Sequence, residues 1–314
     1  MLDSQFFVPL MYELISKAVC ILPENIMNAL ESASRGETEP LAKVQMQTTV
    51  HHMKLSKEKM IPLCGDTGFP VFFVRMGSKI FIEGGIPALA KAIEEAVRKA
   101  TEDAWIRPTV INPFTRENPG TNVGAYMPHI VYKFDPGIDF MELTSTPKGG
   151  GTEVFGPSFR VLLHADGIPG IKKFVFDSLV IHGNKTGGTC PPNIVGVGIG
   201  GTSDLAMKLA KEAAVLRKIG DRHPEENLAK LELELLEALN MTGVGPLGMG
   251  GKAMALDVHI EYAMSHLAGF SAALSVQCPA ARVATIRVYP DGRVEDRDWP
   301  EWFKRDKEAH HDSH

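Results

Sequence analysis

The chain has 314 residues and a mass of 34.3 kDa, with 44% hydrophobic and 23% charged residues, so it has room for one large domain or two modest ones. A net charge of −5 and a pI near 6.1 argue against nucleic acid as the main partner. No stretch approaches the ~20 apolar residues of a membrane span, and Met1-Leu2-Asp3-Ser4-Gln5 lacks the basic start of a signal peptide. Four cysteines without a close pair do not resemble a secreted disulfide framework, which places the chain in a reducing compartment, the cytoplasm.

Helical periodicity runs through residues 8–20, 25–34, 40–58 and 86–100, so the first hundred residues read as mostly helical. Val71–Met76 reads as a buried strand ending at Gly77. Residues 105–124 are polar and rich in Pro, Asn and Thr, a long loop of the kind that usually carries function. Strands are expected at 129–134, 140–146, 172–183, 194–198 and 281–289, with Asp291-Gly292 turning a hairpin. One helix starts after the Thr202-Ser203-Asp204 cap and runs to about Lys218; another spans 225–239. The expected fold is mixed α/β (α+β): a helical N-terminal part of about 1–100, then sheets enclosed by helices, in a single domain of residues 1–302. The charged, His-rich stretch 303–314 reads as a disordered tail.

Three cysteines sit in separate glycine- or proline-rich loops. They are Cys64 in Cys64-Gly65-Asp66-Thr67-Gly68, Cys190 in Gly187-Gly188-Thr189-Cys190-Pro191-Pro192, and Cys278 before Pro279. Their separations match no zinc-finger spacing. Three thiolates meeting from such loops can hold three irons of a 4Fe–4S cluster and leave the fourth open as a Lewis acid. The plain alternative is that each is a small buried hydrophobe, as Cys20 is in Ala18-Val19-Cys20-Ile21-Leu22.

Other residues carry paired readings. Asp66 lies beside any metal held by Cys64, or makes an ordinary Asx turn. Lys148-Gly149-Gly150-Gly151-Thr152-Glu153 exposes consecutive amides suited to a carboxylate, or simply ends a strand. Arg107 can clamp a carboxylate through two parallel hydrogen bonds, a role for which Arg116 competes. His266 falls in a helix-like segment and is an acid–base candidate or a structural histidine. Gly196-Val197-Gly198-Ile199-Gly200-Gly201 fits a dinucleotide-binding glycine pattern, but a second helix follows where the ribose-binding strand is required. The glycines therefore read as a close approach of strand and helix.

Taken in order, Cys-x-Asp-Thr-Gly, Lys-Gly-Gly-Gly, Thr-Cys-Pro-Pro…Gly-Gly-Thr-Ser and His-x11-Cys resemble the class I, iron–sulfur-dependent fumarate hydratase and tartrate dehydratase family. The resemblance spans about residues 10–290 and is narrowest to the alpha subunit of the two-subunit members. It implies a 4Fe–4S cluster on Cys64, Cys190 and Cys278, acid chemistry from Asp66 and His266, and substrate carboxylate binding by Arg107 and Gly149, Gly150 and Gly151. It also implies a beta subunit in place of the domain that closes over the cluster in single-chain members, and dimers of such pairs. A homodimer of alpha chains is a further possibility. The reaction implied is hydration or dehydration of a C4 dicarboxylate, fumarate/malate or tartrate/oxaloacetate, with the Lys148–Glu153 run favouring the fumarate side.

Two departures stand out: Gly65 replaces the glutamine usual at that place, and the stretch Cys278-Pro279-Ala280-Ala281-Arg282 lacks the tryptophan often found after the third cysteine. Two other classes compete with the hydro-lyase: a non-catalytic iron–sulfur or metal-binding scaffold, and a nicotinamide oxidoreductase using Gly196–Gly201.

Overall fold

The computed structural model describes residues 2–183 and 188–303; the tail from residue 304 lies outside them. Helix α1 (Ser4–Cys20) starts where the Asp3 carboxylate accepts the Phe6 amide at 2.9 Å. Phe7, Met11, Leu14, Ile15 and Ala18 recur at helical spacing and pack against Leu89, Ile93 and Val97 of α4 (Gly85–Glu102). By length and mean hydropathy alone, Ser4–Gly36 is apolar enough to cross a membrane, which corrects the expectation that no such stretch exists. In the fold, α1 spends that apolar face on the core. Cys20 lies within it, and burial pushes its thiol up to about 11. Helices α2 (Glu24–Gly36) and α3 (Pro40–Lys59) complete the helical part, packing Ile26, Leu30 and Met46 near Leu63 and Ala281.

The strands, in chain order, are β1 (Val71–Met76), β2 (His129–Phe134), β3 (Met141–Ser145), β4 (Ser158–Leu162), β5 (Asn193–Ile199), β6 (Ala255–Tyr262), β7 (Phe270–Gln277), β8 (Ala284–Val288) and β9 (Val294–Arg297). They form a five-stranded sheet ordered β2-β1-β3-β8-β9 and a four-stranded sheet ordered β4-β7-β5-β6. Both are mixed: β1 pairs parallel with β2 and antiparallel with β3, and β5 pairs parallel with β6 and antiparallel with β7.

Helix α5 (Gly167–Phe176) and helix α7 (Glu226–Asn240) join the core on one face of the second sheet. Helix α6 (Ser203–Leu216) covers the other face. There a Cβ on Gly196 or Gly198 would stand 2.1 Å from the Ala210 carbonyl oxygen or 2.0 Å from that of Ala206. Only glycine permits that contact. The end of α6 also packs Val215 and Leu216 against Val71 and Phe73 of β1, joining the two sheets.

Several expectations need correction. Residues 172–183 are helical: α5 runs to Phe176 and continues as a wide turn through Gly183, with Lys173 and Asp177 paired at 2.9 Å one turn apart. Their β-branched and aromatic content suggests a strand, but Phe174, Val175 and Leu179 bury one helical face. The sequence reading has no strand at β4, β6 or β7. In β6 the alternating Asp257, His259 and Glu261 resemble a solvent face, yet all three are buried. Asp257 pairs with Arg222 at 2.7 Å, and Glu261 with Arg217 at 3.3 Å. His266 is not helical; it lies in the turn between β6 and β7, bridged to Gly269.

Candidate active site

The loop between α3 and β1 carries Cys64 and Asp66, and it is fastened to the glycine loop that follows β3. Phe69 and Lys148 exchange backbone hydrogen bonds at 2.8 and 2.9 Å. Gly68, at φ +86°, approaches so closely that a Cβ would stand 2.4 Å from the Lys148 carbonyl carbon. The Asp66 carboxylate spans both loops: Oδ1 accepts from the Gly68 amide at 3.1 Å and Oδ2 from the Gly150 amide at 2.7 Å. A Cβ added to Gly149 or Gly150 would lie 3.3 or 3.4 Å from that same Oδ2, so the glycines leave the carboxylate open on their side.

Arg107 enters from the long loop. Its amide donates to Thr67 Oγ1 at 2.8 Å and its guanidinium to the Gly65 carbonyl at 3.0 Å. Arg116 stands elsewhere, in the exposed tip formed by residues 111–120. The organiser of this loop is Asn122, fully buried, at φ +57°. Its Oδ1 accepts from the Thr109 and Val110 amides at 2.8 and 3.2 Å, and its Nδ2 donates to the Arg107 carbonyl at 2.7 Å. Asparagine tolerates this left-handed backbone better than most residues.

Cys190 and Cys278 flank one end of the four-stranded sheet. Cys190, at φ +51°, lies three residues before β5, and Cys278 directly follows β7, whose Gln277 pairs with Ile194. Asn193 ties the two segments, donating to the Thr189 carbonyl at 2.7 Å and the Gln277 carbonyl at 3.2 Å. Gly151 packs on the Cys190 segment: a Cβ there would stand 2.0 Å from the Gly188 carbonyl oxygen.

The thiols influence one another. Burial, then negative charge on Cys278, Cys64 and Asp66, pushes the Cys190 thiol up. Burial raises Cys278 too, with Cys64 adding to the rise and Arg282 and Lys148 opposing it. All three are free thiols, Cys64 exposed and the others half-buried.

His266 is the candidate that the fold sets apart. It precedes the start of β7, whereas Cys278 follows its end, so the eight residues of that strand separate them by roughly 25 Å. The turn is anchored: the His266 carbonyl accepts from His164 Nε2 at 2.9 Å, and the Ala268 amide donates to His266 Nδ1 at 3.1 Å. That amide fixes the neutral ring as the tautomer carrying its proton on Nε2.

A model of the fumarate hydratase (fumerase) family matches residues 9–287. The chain belongs to that family. It is 42% identical over 283 residues to a putative L(+)-tartrate dehydratase subunit alpha of Methanocaldococcus jannaschii, covering 90% of this chain and 97% of that one. It is 34% identical over 270 residues, 86% of each chain, to the L(+)-tartrate dehydratase subunit alpha of Escherichia coli K12. The fumarate hydratase family comprises lyases, and iron–sulfur dependence is general in its class I branch.

The donor set suits such a cluster. Among the described residues, no three His, Cys, Asp or Glu side chains are close enough to share one metal ion. Cys64, Cys190 and Cys278 instead offer three free thiols in mutual electrostatic reach, the ligand type that iron–sulfur groups take.

A buried lysine ties the glycine loop to the end of β7. Lys148 is fully buried; its ammonium donates to the Thr152 carbonyl at 2.9 Å and the Val276 carbonyl at 2.6 Å, and lies 3.5 Å from Glu153. Burial lowers its pKa from 10.5 to about 8, against the pull of Glu153. The folded chain thus holds fewer protons than the unfolded one between those values. Stability from this group rises as pH climbs through that window, and below about 8 the buried charge costs the fold. Urea unfolding of the metal-free chain should show wild type gaining ~3 kcal/mol on Lys148→Met across it. Parallel stability curves for the two proteins would refute this.

Sequence reasoning missed Asn122, the support given by Lys148, and Arg282. The available signal for the last was a single arginine inside the apolar run Ala280–Ala284.

Proposed function

We propose that this chain is the cluster-binding alpha subunit of an iron–sulfur hydro-lyase that adds water to, or removes it from, a C4 dicarboxylate. The observation that carries this reading is the Asp66 carboxylate, held by amides of two loops at the junction of the cysteine segments and the glycine loop. Cys64, Cys190 and Cys278 would hold a 4Fe–4S cluster, which when bound supplies an open iron acting as a Lewis acid toward a substrate hydroxyl.

The residues around it divide the remaining work. Arg107 and the amides of Gly149–Gly151 take a substrate carboxylate and fix its orientation. In the dehydration direction, Asp66 delivers a proton to the departing hydroxyl oxygen, which leaves as water. A base removes the proton from the neighbouring carbon, and the electron pair of that C–H bond becomes the new C=C bond. No residue of this chain is nominated as that base; we assign it to a beta subunit, the counterpart that the relatives' name "subunit alpha" implies. Nothing lies within 4 Å of a Cβ built on Gly65. That space, where the family commonly places glutamine, accommodates the second hydroxyl of tartrate. Thiolates of this kind survive in a reducing compartment, which fits the cytoplasm.

If His266 also serves this chemistry, it does so from a second copy of the chain, because its anchored turn cannot cross the length of β7. Met264 and Leu267, each 87% exposed on that turn, offer an apolar contact for such a copy.

The test is anaerobic reconstitution with iron and sulfide, followed by EPR with and without L-tartrate or malate. The expected result is a cluster signal displaced by one of these acids, in a chain that is almost inactive until the beta subunit is added. A chain that takes up no cluster, or one whose signal ignores every hydroxy acid in the full complex, would overturn the reading.

A further inference from the structure

Arg282 is one of the largest fully buried side chains in the protein, 1% exposed. The other deeply buried arginines have carboxylate partners: Arg75 pairs with Asp135, Arg217 with Glu232, and Arg287 with Glu142. Among the described residues, Arg282 has none within ion-pair distance. Nη2 donates to the Asp66 backbone carbonyl, Nη1 reaches the Pro147 carbonyl at 3.5 Å, and Nε has no partner. A guanidinium cannot shed its proton to escape burial. An uncompensated buried charge costs several kcal/mol, so the folded protein must supply a negative counterpart.

Its neighbours are the segments that carry the cysteines. Arg282 is four residues beyond Cys278, hydrogen-bonded to the loop of Cys64 and Asp66, and against the start of the glycine loop. Nη1 stands 3.7 Å from the place a Cβ on Gly149 would take, a point 3.3 Å from Asp66 Oδ2. One side chain, on the segment that follows Cys278, therefore touches both the Cys64 loop and the glycine loop, and its charge acts on the Cys278 thiol.

We propose that Arg282 is the fixed cation of the iron–sulfur centre: a positioning residue that offsets the charge of the three thiolates and locks the Cys64 and glycine loops around them. This rests on the cluster reading above. A cation held beside a cluster favours its reduced, more negative state and so raises its reduction potential. The two carbonyl contacts hold the Cys64 segment in place and slow the loss of iron.

The test compares wild type, Arg282→Met and Arg282→Lys as full-length chains, reconstituted anaerobically. Two quantities are read: release of iron to a chelator, and the midpoint potential from EPR-monitored titration. Arg282→Met should release iron about tenfold faster or more, the scale of one lost charge-assisted contact, and its potential should fall below that of wild type. Arg282→Lys, which keeps the charge but not the fork, should restore the potential while releasing iron at an intermediate rate. If Arg282→Met does not yield folded protein, Arg282→Lys decides alone: a wild-type potential supports the role, and a lowered one overturns it. An Arg282→Met cluster with wild-type potential and iron retention overturns the role of Arg282 while leaving the cluster reading intact. A wild-type chain that takes up no cluster overturns both.

Discussion

Co-expressed with the proposed beta subunit, His266→Asn and Cys278→Ser forms of this chain should each be nearly inactive alone and together recover about a quarter of wild-type turnover. The arithmetic follows from geometry. His266 and Cys278 sit at opposite ends of β7, so a site using both must draw them from two molecules. In a mixed pair, the His266→Asn chain keeps an intact cysteine centre and receives the imidazole of its Cys278→Ser partner. The reciprocal site lacks both. Random pairing makes half the dimers mixed, each with one working site of two. The measurement is turnover of L-tartrate or malate by the whole, unsorted population of co-expressed dimers, with a tag on each chain used only to confirm that mixed pairs form. Full activity of His266→Asn alone would remove the histidine from the chemistry, and mixed dimers without recovery would remove the second copy.

The second large effect is expected at Asp66. Asp66→Asn preserves size and one acceptor oxygen, so one of the Gly68 and Gly150 contacts survives and the loop keeps its course. What it removes is a group able to carry and release a proton. Turnover should fall by about 100- to 10,000-fold, with KM little changed because Arg107 and the glycine amides remain. Iron content and the cluster spectrum should match wild type, since none of the three thiols is altered. Near-normal turnover would exclude Asp66 as the acid. A variant that loses its iron would show instead that Asp66 shapes the cysteine loop.

The parts of this fold that are legible in the sequence are those where chemistry and burial agree. The N-terminal helices declare themselves because Phe7, Met11, Leu14 and their neighbours recur at helical spacing and all face one core. The segments around Cys64, Asp66 and Gly149–Gly151 are equally plain as loops, because their glycines interrupt helix and strand patterns, while the chemistry of these residues stays open between a site and ordinary turns. Strand β6 is hidden for the opposite reason. Its Asp257, His259 and Glu261 look solvated, and only the third dimension brings Arg217 and Arg222 to neutralise the two acids. His259 instead shares a proton contact with Asp257 at 3.2 Å and another with the Ala213 carbonyl at 3.1 Å. Asn122, Lys148 and Arg282 are hidden in the same way, since each acts through backbone carbonyls or amides far away in sequence. His266 is a different case: its residue type is visible in sequence, while its distance from Cys278 is set by a strand that the pattern does not announce.

The contact between Gly151 and the Gly188 carbonyl carries a consequence for durability. The carboxylate cradle and the segment leading to Cys190 lean on one another without a side chain between them, so neither can shift alone. Under the proposed function, a substrate seated on the glycine amides would brace the same backbone that presents the thiol, and an empty cradle would leave that backbone less constrained. Turnover and resistance to oxygen damage would then be coupled: the enzyme would be best protected while it is working and most vulnerable when starved of its acid.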